Sequence, residues 1–262
     1  MKKMAIGAME RNIGLISSRT RMLCEALLER APQKLLSLEA KQDWSAYGAY
    51  IHSLCRSALR LAMLDIRERT DIKSAKKRLR VASEMALKMK CEKPEDIAPC
   101  FFDIPVSCCL IHGDLDNAKA LARLCIRSLS ARQGSYFDAH AKVLSAFVLQ
   151  DSDLYDRMVE DFRKLPSNYW WSRQSVYFDL YAAVMRRDQD HFARLLMASQ
   201  NEFERRGADR EFGDKMPEYG GILENDLVVD FMALGVSSVA LSVGMTIDFD
   251  GKYFPLSVLK DR

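Results

Sequence analysis

Any chemistry in this chain would have to come from four histidines, seven cysteines and a few closely spaced carboxylates. The histidines are His52, His112, His140 and His191. Cys108 and Cys109 precede His112 by four and three residues, so one helix face could carry a thiol–imidazole pair. A working nucleophile also needs an oriented base and an oxyanion site, and no such constellation follows from the residues. Cys108 and Cys109 therefore read as structural thiols beside a turn histidine. There is no H-E-x-x-H, no glycine-rich phosphate loop and no G-x-S-x-G, and Gly220-Gly221 is a turn signal only. The carboxylate pairs Glu224/Asp226 and Asp248/Asp250 abut helix or turn starts, where capping explains them. The odd cysteine count comes with no C-x-x-C and no Cys/His spacing suited to zinc. Cys24, Cys55, Cys108, Cys109 and Cys125 sit inside helical patterns as small core hydrophobes. Free thiols of this kind imply a reducing compartment, the cytoplasm. The expectation is a non-enzyme with no catalytic residues, no cofactor, no metal site and no disulfide.

What the chain does carry is a pattern written three times between residues 105 and 207. Asp114, Asp151 and Asp188 are spaced by 37, as are Asp116, Asp153 and Asp190. Each D-x-D is followed by an apolar ladder at i, i+3 and i+4: Ala118, Leu121, Ala122, then Tyr155, Met158, Val159, then Phe192, Leu195, Leu196. A second apolar set precedes each in register: Val106, Cys109, Leu110, then Val143, Ala146, Phe147, then Leu180, Ala183, Val184. The first aspartate of each pair stands where a second helix begins, accepting its orphan N–H groups and favouring its positive end. Ser135 and Ser172, also 37 apart, are placed to cap the first helix of the second and third copies. The pattern predicts an all-α fold, an α-solenoid of tetratricopeptide-like helical hairpins with a 37-residue period. Helices are expected at 106–112, 136–149 and 175–186, paired antiparallel with 116–131, 153–164 and 190–205.

The flanks are less regular. Residues 8–31 read as a helix stopped by Pro32, and a second runs from Pro32 to about Lys41. Residues 44–66 form the longest helix, and Thr70 is placed to cap another from Asp71 to about Lys90. On that helix Lys73, Lys76, Lys77 and Arg80 make a basic stripe, read as a solvated face because no aromatic platform or groove-reading motif accompanies it. Cys91 to Pro105 holds three prolines and is the clearest break, yet Phe101, Phe102 and Ile104 are too apolar for an exposed tether. The whole is read as one helical domain over 1–262, with N-terminal helices over 1–92, repeats over 105–207, and a loop, helices and tail over 208–262. Residues 1–100 hold 20 Lys+Arg against 12 Asp+Glu, and the remaining 162 hold 19 against 24. That asymmetry concerns partners and steering, not fold. The most apolar stretch, Phe231 to Met245, is too short and too rich in serine to span a bilayer.

Two places suggest contact with a partner. Pro166-Ser-Asn-Tyr-Trp-Trp puts Tyr169, Trp170 and Trp171 in or beside a loop, as seals of the hairpin stack or as binding anchors. Residues 208–223 have no period, three glycines and mixed charge, and a stretch so long is usually functional or disordered. Glu211, Asp214, Glu218, Tyr219, Glu224 and Asp226 are the candidate partner-binding residues there, with Trp170 and Trp171 beside them. A short apolar helix is expected from Asn225 or Asp226 to Leu234, and another from Ser237 to Val243. A hairpin or extended tail follows around Asp250-Gly251.

Over residues 227–259, an apolar helix closed by Gly244, then I-D-F-D and Y-F-P-L-S-V-L, resembles the ending of the immunity protein 49 family of bacterial polymorphic toxin systems. The resemblance covers about 35 of the 262 residues. It implies a helical protein that neutralises a toxin delivered between competing bacteria, and it brings no catalytic motif. The function expected on that basis is binding of a cognate protein toxin and occlusion of its active site or substrate cleft. Neither nucleic acid nor membrane is an expected partner. The acidic groups of the 208–226 stretch would mimic nucleic-acid phosphates if the toxin is a nuclease. The alternative is a tetratricopeptide-like adaptor holding a peptide in its concave groove.

Overall fold

A computed structural model describes residues 21–69, 71–128, 135–166, 169–208, 231–248 and 256–259, and among these the regular structure is entirely helical. A helical stretch over 21–29 leads into α1 (Ala31–Ala40), with Pro32 in its first turn. Then come α2 (Trp44–Arg69) and α3 (Ile72–Ala86). The three predicted hairpins follow as α4 (Asp103–His112) with α5 (Leu115–Arg127), α6 (Tyr136–Leu149) with α7 (Ser152–Arg163), and α8 (Tyr169–Met185) with α9 (Gln189–Ala208). Last is α10 (Phe231–Ser242). The result is an all-α, solenoid-like stack in which helices pack on their sequence neighbours.

The 37-residue repeat is physical, because its joints share one geometry. Gly113, Gln150 and Arg187 all turn left-handed, with φ of 89°, 57° and 54°. The N–H of each reaches back to a carbonyl three residues earlier, Leu110, Phe147 and Val184, at 3.0 Å in every case. The following aspartate N–H reaches the carbonyls of Cys109, Ala146 and Ala183 at 2.8, 3.4 and 2.9 Å. This is the Schellman closure of a helix. The same aspartates then open the next helix: Asp114, Asp151 and Asp188 accept from the N–H groups of Asn117, Leu154 and His191 at 3.2, 2.9 and 3.0 Å. Only the first joint carries a glycine, so two ordinary residues bear the left-handed strain, roughly 1–2 kcal/mol each. The joint between α1 and α2 is built identically, with Gln42 at φ 52° and Asp43 accepting from Ala46 N–H at 3.1 Å. That fourth copy lies in the region whose sequence read as irregular.

Three local expectations are corrected. Ser135 does cap α6, accepting from Asp138 N–H at 3.2 Å, but Ser172 lies inside α8. No proline or glycine interrupts the run from Tyr169, so the third copy's first helix starts a turn early and leaves Ser172 no orphan N–H to satisfy. The cap of α3 is Asp71, accepting from Ser74 N–H at 2.9 Å; Thr70 lies outside the described residues. The two short C-terminal helices are one, because Gly235 and the serines after it continue α10 unbroken to Ser242. Gly244, left-handed at φ 87°, closes that helix as its position predicted. The expected start of the first helix at residue 8, and the tail around Asp250-Gly251, lie outside the described residues.

Between α3 and α4 the proline-rich segment forms two single 3-10 turns, Pro94–Asp96 and Pro99–Phe101. As its apolar content predicted, it is not a tether: Ile97, Phe102 and Ile104 are buried. Ile97 presses on Gly48 of α2, where an added Cβ would fall 3.1 Å from its Cγ1 and closer still to its Cγ2. In α10, by contrast, a Cβ on Gly235 would meet Leu110 Cδ1 at an ordinary 3.7 Å. Both are helical glycines, so alanine brings each the same propensity gain of about 1 kcal/mol. Gly48→Ala should nonetheless destabilise, since overpacking a filled site costs roughly 1–3 kcal/mol, whereas Gly235→Ala should be neutral or stabilising. Urea unfolding of the two variants checks the opposite signs.

Candidate functional site

The thiol–imidazole pairing does not exist as a site. Cys108 and Cys109 are fully buried, while His112 is exposed at the end of α4. Ser83 Oγ lies 3.5 Å from Cys109 Sγ, and Cys125 donates to the Pro99 carbonyl at 3.7 Å. Burial pushes both thiols up to about 12, and Cys108 is raised by its hydrogen bond with Cys55 and by burial. Each therefore stays protonated at neutral pH, the opposite of an activated thiolate. His52 Nδ1 lies 3.4 Å from Asp103 Oδ1. Burial alone would raise the Asp103 carboxyl. The close approach and charge of His52, the charge of His140 and the Ile104 N–H outweigh it and hold that carboxyl below its usual range. This is a structural contact between α2 and α4. Among the described residues no three His, Cys, Asp or Glu side chains gather as a metal site would require.

Of the candidate partner-binding residues, Trp170 and Trp171 fall in the first turn of α8, with side chains outside the described set. Glu211, Asp214, Glu218, Tyr219, Glu224 and Asp226 lie outside the described residues altogether. The described surface offers two other features.

The first is a face already occupied. α10 packs against both α4 and α8, the first helices of the first and third hairpins, while α6 lies between those two and contacts each. Helices pack about 8–10 Å apart, so a flat row would put α4 and α8 nearly 20 Å from each other. α10 touches both, so it spans the face that the first helices share, the side on which a solenoid of hairpins is hollow. Its residues 232–240 are all buried, as an all-round apolar helix demands. Ser107 Oγ lies 3.8 Å from Met232 Sδ, and Ser238 Oγ donates to the Leu110 carbonyl. Beyond α10 the side-chain amide of Gln189 brackets Thr246, donating to its carbonyl at 2.7 Å and accepting from its N–H at 2.9 Å. Leu256, Val258 and Leu259 then bury themselves, the 3-10 turn Leu256–Val258 packing on α3.

The second feature is a cleft of about 180 Å³ between the second and third hairpins. It comes from a size change along the repeat. Ala118, Cys125 and Ala141 let α5 pack closely on α6; the residues 37 later are Tyr155, Phe162 and Phe178, and α7 and α8 stand further apart. The gap is bridged by side chains: Tyr155 hydroxyl donates to the Phe178 carbonyl at 2.7 Å, and Phe162 meets Phe178 edge-on at 4.9 Å between centroids. Asp156, Arg163, Asp179 and Arg186 line the cleft and are exposed. Among the described residues none of these four is in an ion pair, although nearby Lys164 pairs with Glu160 and Asp161. The sequence reading passed over all of them. The signal was the same shift, since Lys119 and Lys142 occupy the positions where the next copy has Asp156 and Asp179.

No helix among the described residues is long and apolar enough to cross a membrane. Compared with family models, with curated proteins and with solved structures, the chain matches none of them.

Proposed function

We propose that this chain is an immunity protein that binds a cognate antibacterial toxin through its outer surface and blocks the toxin's active site or substrate cleft. The observation that carries this reading is the helix in the hollow. A tetratricopeptide-like adaptor holds its peptide in the concave groove of its first helices, and here α10 fills that place. Partner binding is then left to the outside, which suits a broad protein contact better than a gripped peptide. The resemblance over residues 227–259 supplies the kind of partner, and it falls on the segment that closes the groove.

Neutralisation must be stoichiometric, because any free toxin keeps turning over. The expected affinity is therefore at or below ~10⁻⁹ M, about −12 kcal/mol. Reversing Glu218, Glu224 and Asp226 together should weaken binding with little change in the melt. The test is co-expression, in a sensitive host, with a toxin domain encoded immediately upstream. Survival should require this chain; cells that survive equally without it would contradict the reading.

A further inference from the structure

We infer that the outer face of α3 and α5 is a docking surface for an acidic patch on a partner protein. The basic stripe of α3 by itself reads as a solvated face, but the fold gives it a neighbour. α3 and α5 both pack on α4, so the side chains that each turns away from it look out on one side of the stack. On α3 the exposed positions are Lys73, Lys77 and Arg80, followed by Lys88 in the 3-10 turn Leu87–Met89. On α5 they include Arg123 and Arg127. Lys90 joins the two rows, its Nζ donating to Asn117 Oδ1 at 2.7 Å. The acids within this band are Glu84, paired with Arg80 at 3.0 Å, and Asp116. Lys73, Lys77, Lys88, Arg123 and Arg127 have no ion-pair partner among the described residues.

The band is bounded, and its borders select the occupant. Next along the outer side, α7 exposes Asp153, Asp156, Glu160 and Asp161, and beyond Lys90 the chain exposes Glu92, Glu95 and Asp96. From Lys73 to the end of α3 the row runs about 20 Å. A nucleic-acid duplex longer than the band carries its phosphates, one charge per about 1.7 Å of axis, onto these acidic borders. A compact acidic patch on a protein ends where the band ends. Among the described residues no large exposed apolar side chain lies on α3 or α5, so the face has nothing to insert into a lipid surface. Exposed charge of this kind governs the rate of encounter more than the rate of release. This deepens the toxin-binding reading and rests on it only for the partner's identity; the face's preference is a property of this chain alone.

The experiment compares two double reversals with the same change in net charge, Lys77→Glu/Arg123→Glu on the band and Arg157→Glu/Lys164→Glu on α7. All four side chains are exposed, so both variants should keep the wild-type melt. The probe for the chain alone is acetylated and amidated hexaglutamate, titrated into the full chain at about 0.05 M salt and followed by amide-correlation NMR. It should shift α3 and α5 saturably, with a dissociation constant on the order of 1 mM. Binding should weaken at least about fivefold in the band variant and stay within about twofold in the α7 variant. No saturable shift on α3 and α5, or equal losses in the two variants, would overturn the assignment. So would a DNA duplex of about 20 base pairs bound below ~10⁻⁶ M through the same two residues. Self-association of the wild-type chain that only the band variant abolishes would assign the face to a second copy instead. With a toxin domain encoded immediately upstream, the association rate should fall at least about tenfold in the band variant and stay within about twofold in the α7 variant. An unchanged rate in the band variant contradicts the partner's use of this face and leaves immunity standing. Hexaglutamate binding by a chain that neutralises no toxin keeps the face's preference and sinks the immunity reading.

Discussion

Leu234→Asp should cost the chain most of its folding stability, at least about 4 kcal/mol of a total on the order of 5–15 kcal/mol. Leu234 is wholly buried near the middle of α10, in a run where residues 232–240 are all buried. Removing the leucine alone would cost about 2–5 kcal/mol in lost transfer energy and cavity. The aspartate adds the desolvation of a carboxyl, and no basic side chain lies within α10 to receive it. Because α10 bridges the first and third hairpins, its loss uncovers apolar faces on both and should bring aggregation as well as a lower urea midpoint. Met197→Asp on α9 is the control: that side chain is 51% exposed, and the same change there should stay within about 0.5 kcal/mol. Equal midpoints for the two variants would mean that α10 is not part of the core.

The second large effect is expected at Asp65. Its carboxylate is 1% exposed on α2, yet it holds Arg21 at 2.8 Å and Arg78 at 2.6 Å and accepts from Ser74 Oγ at 2.8 Å. Arg78 reaches on to Glu25 at 3.2 Å, so one buried charge ties the 21–29 helical stretch to α2 and α3. Asp65→Ala removes the acceptor and leaves two partly buried guanidinium groups facing each other, which should cost about 3–5 kcal/mol. Burial by itself would raise the Asp65 carboxyl. The hydrogen bonds from Arg21, Ser74 and Arg78 and the charge of Arg78 outweigh it and hold the carboxyl below its usual value. A depressed folded-state pKa means that the stabilisation is complete at neutral pH, begins to fade as pH drops past the unfolded value, and is gone below the folded one. Asp65→Ala should therefore lower stability at pH 7 and flatten the acid limb of its pH dependence. A variant that keeps the wild-type acid limb would show that this carboxylate is not the group being titrated.

Much of the hairpin architecture was legible in the residues, because it depends on local physics. An aspartate at each second-helix start and apolar positions one turn apart fix where helices begin and which face is covered. The left-handed closures were not legible, since Gln42, Gln150 and Arg187 carry no sign of the conformation that the joint imposes on them. Ser172 misled for a related reason: the periodic position was right, but helix starts are set by the nearest breaker. The place of α10 was hidden too. An all-round apolar helix announces that it is buried, yet only the curvature of the stack determines against what. The cleft was written in the sequence as a size and charge change between equivalent positions, Ala118 to Tyr155 and Lys119 to Asp156. It becomes visible once the copies are compared for their differences as well as their likeness.

The central claim is that the chain's own C-terminal helix keeps the hollow of the stack and the partner uses the outside. A Cβ on Gly235 would stand 3.9 Å from Leu110 Cβ, within the roughly 3.5–4.5 Å that a disulfide spans. Leu110→Cys/Gly235→Cys should therefore staple α10 to α4 on oxidation. The decisive measurement is the affinity of the stapled chain for the partner proposed above, a toxin domain encoded immediately upstream, before and after reduction. The account predicts the same dissociation constant within about twofold in both states. Binding that appears only after the staple is reduced would mean that the partner enters the hollow, and would contradict it.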